Sequence, residues 1–364
     1  MLRRNKRRVL RSILLVMLGG LLVTPLAYSQ KLVQPAPDDP ANSPREELRK
    51  SLFAGSLDQR ACGTVETKPD GSVPADKSLG DFIKAVIEGV EKRSAKKLLP
   101  LFHKRLNIGL PVMNQVLTDL NNVYREPFNV SIFRLWALNT VDGSTKALPC
   151  DGSRLSLYPL YGYNLQFGVW LQIMGQKELG RIYLSIVPAD GRWNIGSFNA
   201  QQWTHEGKDF ATWSEEAVKQ SNMGYKVAAW TKLDIASKLL DGGGFVEIAM
   251  RDEILAARNQ QMAKSDWEKK MRAVLKDWDV GYVASMLVTG GAGILVRLKI
   301  PAEISAHDVL LDCRKLARTM MKQKWSSYLA GVRCSYIMPK EDPAKEGALG
   351  GVFLSFDSLR KKKK

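Results

Sequence analysis

Acid–base and metal chemistry lean first on histidine, and this chain has three, His103, His205 and His307. They fall in three different segments with no ligand spacing between them, so they do not compose a protein zinc site. His205 has the most reactive surroundings, because Thr204-His205-Glu206-Gly207-Lys208-Asp209 gathers acid, base and cation in one short stretch. An acid–base role would need the imidazole held near neutral pKa beside a carboxylate, which makes His205 and Glu206 the candidate catalytic residues. The preferred alternative is a polar loop that caps the next helix. His103, in Leu101-Phe102-His103-Lys104, reads as the edge of an amphipathic helix, and His307, beside Asp308, as a surface residue in a helix first turn.

No other pattern supplies a reactive group. Gly291-x-Gly293 lies between two strands, where it makes a hairpin turn, and not before a helix, where it could cradle a dinucleotide. Gly242-Gly243-Gly244 reads as a helix stop and hinge. The sequence has no nucleophile elbow, phosphate loop or paired-histidine zinc motif, so it implies no cofactor and no metal. Most hydrolase and nucleotide-binding functions lose their warrant. Asn129-Val130-Ser131 matches a glycosylation sequon, but a strand start is its simpler role.

The N-terminus reads as a secretory signal. Arg3, Arg4, Lys6, Arg7, Arg8 and Arg11 precede an apolar core at Ile13–Val23, and Ala27-Tyr28-Ser29 offers small residues for cleavage before Gln30. As an uncleaved anchor, about 11 apolar residues fall short of the ~20 a bilayer span needs. The signal's six cations and the five of Arg360–Lys364 leave +6 of the formal +17 for residues 30–359, a mildly basic body. Nucleic acid is thereby disfavoured as a partner. The tail reads as a solvated end, with peripheral contact to anionic lipid or polymer as the alternative.

All four cysteines, Cys62, Cys150, Cys313 and Cys334, lie in the exported part, where two disulfides are the simplest expectation. Three pairings are open. Cys313 and Cys334 share a C-terminal unit, which leaves Cys62 with Cys150. None of the spacings is that of a redox or metal motif.

Apolar periodicity divides the rest. Residues 30–77 read as an extended leader with a short helix at 44–53. A helix starts at Ser78, with Asp81 completing a capping box, and carries Phe82, Ile83, Val86, Ile87 and Val90 on one stripe. A second helical stretch covers 98–106 and 111–124, with Val112, Val116, Leu120 and Val123 or Tyr124 at helical spacing. From Asn129 the period becomes two, and strands are expected at 130–138, 154–161, 164–174, 181–187 and 192–200, with a hairpin turn at Asp190-Gly191.

Helices followed by a meander that ends in Gly191-Arg192-Trp193-Asn194-Ile195-Gly196-Ser197-Phe198 resemble the nuclear-transport-factor-2-like (SnoaL-like) cone over 78–210. The resemblance implies a curved antiparallel sheet wrapped on helices around a pocket, used for catalysis by some relatives and for binding or dimerisation by many. Tyr161, Tyr163, Gln166, Trp170, Gln172 and Phe198 are the candidate ligand-binding residues of that pocket. Plain core or dimer packing is their alternative role.

Residues 211–263 read as a helical hairpin connector and 264–358 as a small α+β domain, with 359–364 a basic tail. In the latter a helix and two strands occur twice, with Cys313 on the second helix and Cys334 on the following strand. The expected class is therefore α+β. The leading functional expectation is an exported, non-catalytic binding or assembly module of a bacterial envelope, partnered by another envelope protein or by itself as a dimer. The alternatives are a small-ligand receptor or enzyme using the cone pocket, and attachment to an anionic surface through the tail.

Overall fold

The computed structural model describes residues 43–53, 60–68, 72–140, 145–152, 154–299, 306–337 and 349–361. The expected signal at 1–29, residues 30–42, 54–59 and 69–71 of the leader and the last three lysines lie outside the described residues. The fold is α+β, and the chain divides into two units. One comprises Val23–Gly207 with Leu239–Asp252, the other Lys208–Lys238 with Glu253–Lys364.

The first unit opens with α1 (Ser43–Leu52), β1 (Ala61–Thr64), α2 (Lys77–Glu91), α3 (Ala95–Leu98) and α4 (Leu110–Tyr124). The cap of α2 is Asp76, not Ser78, and it accepts the Leu79 N–H at 3.0 Å. Ser78 is otherwise engaged, donating to Asp76 at 2.7 Å and accepting the Trp193 Nε1–H at 3.0 Å. In α4 the buried stripe is Met113, Leu117, Leu120 and Tyr124, one residue round from the expected Val112 and Val116. Both sets are apolar, and the Tyr124 hydroxyl selects between them by donating to the Gln201 carbonyl at 2.9 Å. Residues 99–106 are not one helix but two 3-10 turns, Leu99–Leu101 and Lys104–Leu106. Pro100 and an extended Phe102, which bridges Ile195, interrupt the helical ladder there.

The main sheet is antiparallel, in the order β1, β2 (Asn129–Asn139), β5 (Leu165–Met174), β6 (Leu179–Ala189) and β7 (Arg192–Gln202). Asp190 and Gly191 join β6 to β7 at φ of 51° and 73°, the left-handed pair that a two-residue hairpin needs. The leader contributes β1, an edge strand with no alternating pattern of its own. On the inner face, Phe167, Val169, Leu171 and Ile173 alternate with outward residues and pack with Ile182, Leu184 and Ile186 against the helices.

A third layer covers part of the outer face. It is a small sheet of β3 (Leu148–Cys150), β4 (Leu155–Leu157) and β8 (Val246–Ile248), whose Leu148, Leu155, Leu157 and Val246 bury Trp136, Leu138 and Tyr183. β8 falls within residues expected to be helical. The chain reverses so tightly at Gly242 that a Cβ there would meet the Val246 carbonyl oxygen at 1.8 Å, and β8 then pairs with β4. Cys62 and Cys150 are bonded, which ties β1 to β3.

The second unit holds α5 (Phe210–Asn222), α6 (Lys226–Leu239) as far as Lys238, α7 (Ala249–Gln261) from Glu253 onward and α8 (Lys264–Val274). Its sheet comprises β9 (Val280–Val288), β10 (Gly291–Lys299), β11 (Gly331–Ile337) and β12 (Leu349–Ser355), with α9 (Ala306–Met321) before β11 and α10 (Phe356–Lys361) last. The element order α-β-β occurs twice, and β10 and β11 pair in parallel at the join. Trp230 and Trp267 stack at 4.5 Å, and Asp234 draws in Arg258, Lys238 and Ser285. Burial pushes the Asp234 carboxyl up, but Lys238, Ser285 and Arg258 together hold it below its usual value. Cys313 of α9 is bonded to Cys334 of β11.

Two disulfides suit an oxidising, exported environment. Among the described residues no helix is long and apolar enough to cross a membrane. The Cys62–Cys150 bond spans 88 residues and the Cys313–Cys334 bond 21. Chain entropy then assigns them about 4–5 and about 3 kcal/mol. Paired Cys→Ala variants followed by chemical denaturation are expected to rank the first bond above the second.

Candidate functional site

The space between the main sheet and its helices is filled by side chains. Leu171, Ile173, Ile182, Ile186 and Ile195 have no exposed surface, and Leu79, Ile83, Val86 and Leu98 of the helices fill the space against them. The six residues expected to line a pocket are distributed over several places. Phe198 is on the inner face, 5.9 Å from Phe102, while Trp170 packs at a tilt against the outer-face Tyr183, with ring centres 5.2 Å apart. Gln166 is fully buried, accepts the Leu160 N–H at 2.8 Å and donates to the Leu160 carbonyl at 3.0 Å, so it pins the turn that precedes β5. Gln172 is half-buried opposite Arg181, and Tyr161 is exposed.

Tyr163 is brought to His103, with its hydroxyl 3.3 Å from Nε2. The His103 Nδ1 accepts the Arg105 N–H at 3.2 Å, so in the neutral ring the proton sits on Nε2, facing Tyr163. Burial lowers the imidazole pKa and raises that of the phenol. His103 is hydrogen-bonded to Ile195 of β7, and His205 and Glu206 lie beyond the far end of that strand at Gln202, itself roughly 23 Å away at ~3.3 Å per residue. Thr204 donates to Glu178 at 2.7 Å, and Asp209 caps α5 by accepting the Thr212 N–H at 2.9 Å. His307 is exposed on α9.

A denser polar cluster lies on the outer face of β6 and β7. Arg181 is opposite Gln201 and Tyr183 opposite Asn199. Arg181 has no exposed surface, and Tyr183 and Asn199 each keep 2 %. The guanidinium Nη2 donates to Gln201 Oε1 at 3.0 Å, to the Asp241 carbonyl at 3.0 Å and to the Leu239 carbonyl. Its plane lies over Trp203 at 4.9 Å and Tyr183 at 5.4 Å. Burial lowers the Arg181 pKa and pushes Tyr183 up to about 12. The Asp241 carboxylate is turned elsewhere, to the Gly243 N–H at 3.1 Å and to Arg251 at 3.8 Å.

Among the described residues, Arg181 Nε and Nη1, the Tyr183 hydroxyl and both amide atoms of Asn199 have no hydrogen-bond partner. Native proteins pair nearly all such groups, in part through ordered water. Residues 239–246 roof the patch. Gly243, at φ 62°, lies so close that a Cβ would meet Asn199 Nδ2 at 2.1 Å. Under the neighbouring small sheet a cavity of about 10 Å³, lined by Tyr183, Ser185, Phe245 and Trp136 among others, reaches the same tyrosine. Away from the roof the aromatic surface opens. Trp170 touches Trp203 at 4.8 Å and Phe133 at 4.6 Å, and Phe133 is 46 % exposed with Arg134 over its ring. A register shift between Ile132 and Arg134 turns Phe133 onto this surface.

No protein-family profile and no curated protein matches the chain. A solved structure assigned as a scytalone dehydratase, from Novosphingobium aromaticivorans DSM 12444, is similar over 35% of this chain and 83% of its own length, at 10% identity and a TM-score of 0.21. That likeness is too slight to carry a function.

Because the folded pKa of His103 lies below its unfolded value, its contribution is complete above pH ~6.5 and is lost as pH falls through the folded value. The fall in unfolding free energy from pH 7 to 5 should therefore be shallower in His103→Gln than in the parent, read by urea denaturation at each pH. Gly243→Ala combines a left-handed backbone with the Asn199 clash, whereas Gly244, at φ 81°, faces open space. Expected losses are about 2–3 kcal/mol for Gly243→Ala and about 1 for Gly244→Ala.

Proposed function

We propose that this chain is an exported, non-catalytic binding module of a bacterial envelope, released by cleavage near Ser29, and that it works through the outer face of the five-stranded sheet. The observation that carries this reading is the contrast between the two faces. The inner one is filled with aliphatic side chains, while the outer one carries Phe133, Trp170 and Trp203 at its surface beside a buried arginine. Half-exposed aromatic rings next to arginine are the residue types that anchor protein interfaces. The partner on this reading is another envelope protein.

A second reading makes His103 and Tyr163 an acid–base pair at the opposite end of the sheet. A half-buried imidazole with a lowered pKa beside a phenol supports it.

Photocrosslinking in living cells separates the two. A photoreactive residue at position 133 should give one discrete protein adduct that Trp170→Ala abolishes, while the same residue at Val218, 56 % exposed in the other unit, gives none. Equal labelling at both positions, or turnover that disappears in His103→Gln and Tyr163→Phe, would overturn the binding proposal.

A further inference from the structure

Half of the +6 carried by residues 30–359 comes from one short stretch. Residues 306–324 hold Arg314, Lys315, Arg318, Lys322 and Lys324 against Asp308 and Asp312, a net +3. At 3.6 residues per turn, His307, Leu311, Arg314, Lys315, Arg318 and Lys322 fall within an arc of about 100° along α9 and the turn after it. All six are exposed, Leu311 at 37 %. On the opposite arc Cys313, Leu316, Ala317 and Met320 have no exposed surface, and the helix packs on β11 and β12. The fold therefore holds the cations outward on a ridge. Its two acids sit along one border, Asp308 in the first turn and Asp312, which accepts the Tyr336 hydroxyl at 2.9 Å and lies 3.6 Å from Lys315. Among the described residues Arg314, Arg318 and Lys322 have no ion-pair partner. Other helices mix their signs, with Glu88 of α2 holding Lys97 at 2.7 Å and Glu268 of α8 lying 3.9 Å from Lys264.

We propose that the α9 ridge seats the second unit on an anionic phospholipid surface. A row of unneutralised cations on a convex ridge complements a flat layer of phosphates. Leu311, in the same row, adds an apolar contact that a bilayer interface accepts and a soluble polyanion does not. Each cation near such a surface strengthens binding about fivefold, and the attraction fades within a Debye length. The ridge belongs to the unit that does not carry Phe133, Trp170 and Trp203, so the inference goes beyond the outer-face reading and stands or falls apart from it.

The test uses the full exported chain and vesicles of phosphatidylcholine with or without phosphatidylglycerol, read by co-sedimentation at about 50 mM and about 500 mM NaCl. Binding is expected to the phosphatidylglycerol vesicles alone, with release at the higher salt. Arg318→Gln should weaken it about fivefold and Arg314→Gln/Arg318→Gln/Lys322→Gln about a hundredfold. The control Lys269→Gln/Lys270→Gln/Lys276→Gln removes the same charge from exposed positions on and just after α8 and should cost less than about fivefold. All six side chains are exposed, so both triple variants should keep the parent's thermal midpoint. Equal losses in the two triple variants overturn the ridge, as does loss of binding on truncation after Lys361 with the ridge variant unaffected. A short DNA duplex bound as tightly as the vesicles overturns the lipid assignment, and so does absence of vesicle binding at the lower salt. In each of those cases a discrete adduct at position 133 would leave the outer-face function standing.

Discussion

A guanidinium taken out of water has to be surrounded by oxygen atoms and aromatic faces, and Arg181 obtains both only because residues 239–246 fold back over β6 and β7. Its Nη2 gathers a side-chain amide from β7 and two carbonyls from the returning segment, and its plane lies over two rings. Everything else on that face follows from the same closure. Gly243 must be glycine because Asn199 lies against it, and Gly242 must be glycine because the turn that delivers β8 leaves no room for a side chain. Once delivered, β8 completes the small sheet that buries Trp136 and Tyr183.

The two faces of the main sheet thus solve different problems. The inner face is stabilised by burial of alternating aliphatic residues against three helices, and it is finished by packing alone. Tyr124, Trp193 and Ser78 add the few directed bonds that fix how those helices enter. The outer face is polar at alternate positions of β6 and β7 yet mostly withdrawn from water, so it depends on hydrogen bonds and on the disulfide that holds β1 to β3. Polar groups removed from water without full pairing destabilise a fold unless water or another partner joins them.

Much of the architecture was legible from periodicity. The long strands, the Asp190-Gly191 turn, α4 with Pro111 in its first turn and the junction of Cys313 with Cys334 all carry strong local signals. The third layer carries almost none. β3, β4 and β8 are three residues each, too short for an alternation to register, and Val246 and Ile248 fit a helical spacing as well as a strand. Nothing in the strand pattern alone marks Arg181, Tyr183, Ser197, Asn199 and Gln201 as covered. Their alternation with Ile182, Leu184, Phe198 and Ala200 was visible, but what covers them arrives from forty to sixty residues downstream. Trp170 and Gln172 lie on the face opposite Leu171 and Ile173, whose side chains fill the space against the helices. Tyr163 could be named from sequence, whereas its meeting with His103 depends on the break at Pro100.

The division of the chain bears on its biosynthesis. Leu239–Asp252 belongs to the first unit, yet the residues on both sides of it belong to the second. The polypeptide therefore passes between the units three times. A nascent chain that has emerged only as far as Gly207 contains every strand of the main sheet but neither the oxygens that satisfy Arg181 from the roof nor the strand that completes the small sheet. In a chain made from its N-terminus, the first unit stays unsealed while α5 and α6 follow, and the outer face of β6 and β7 is covered only when residues 239–246 arrive.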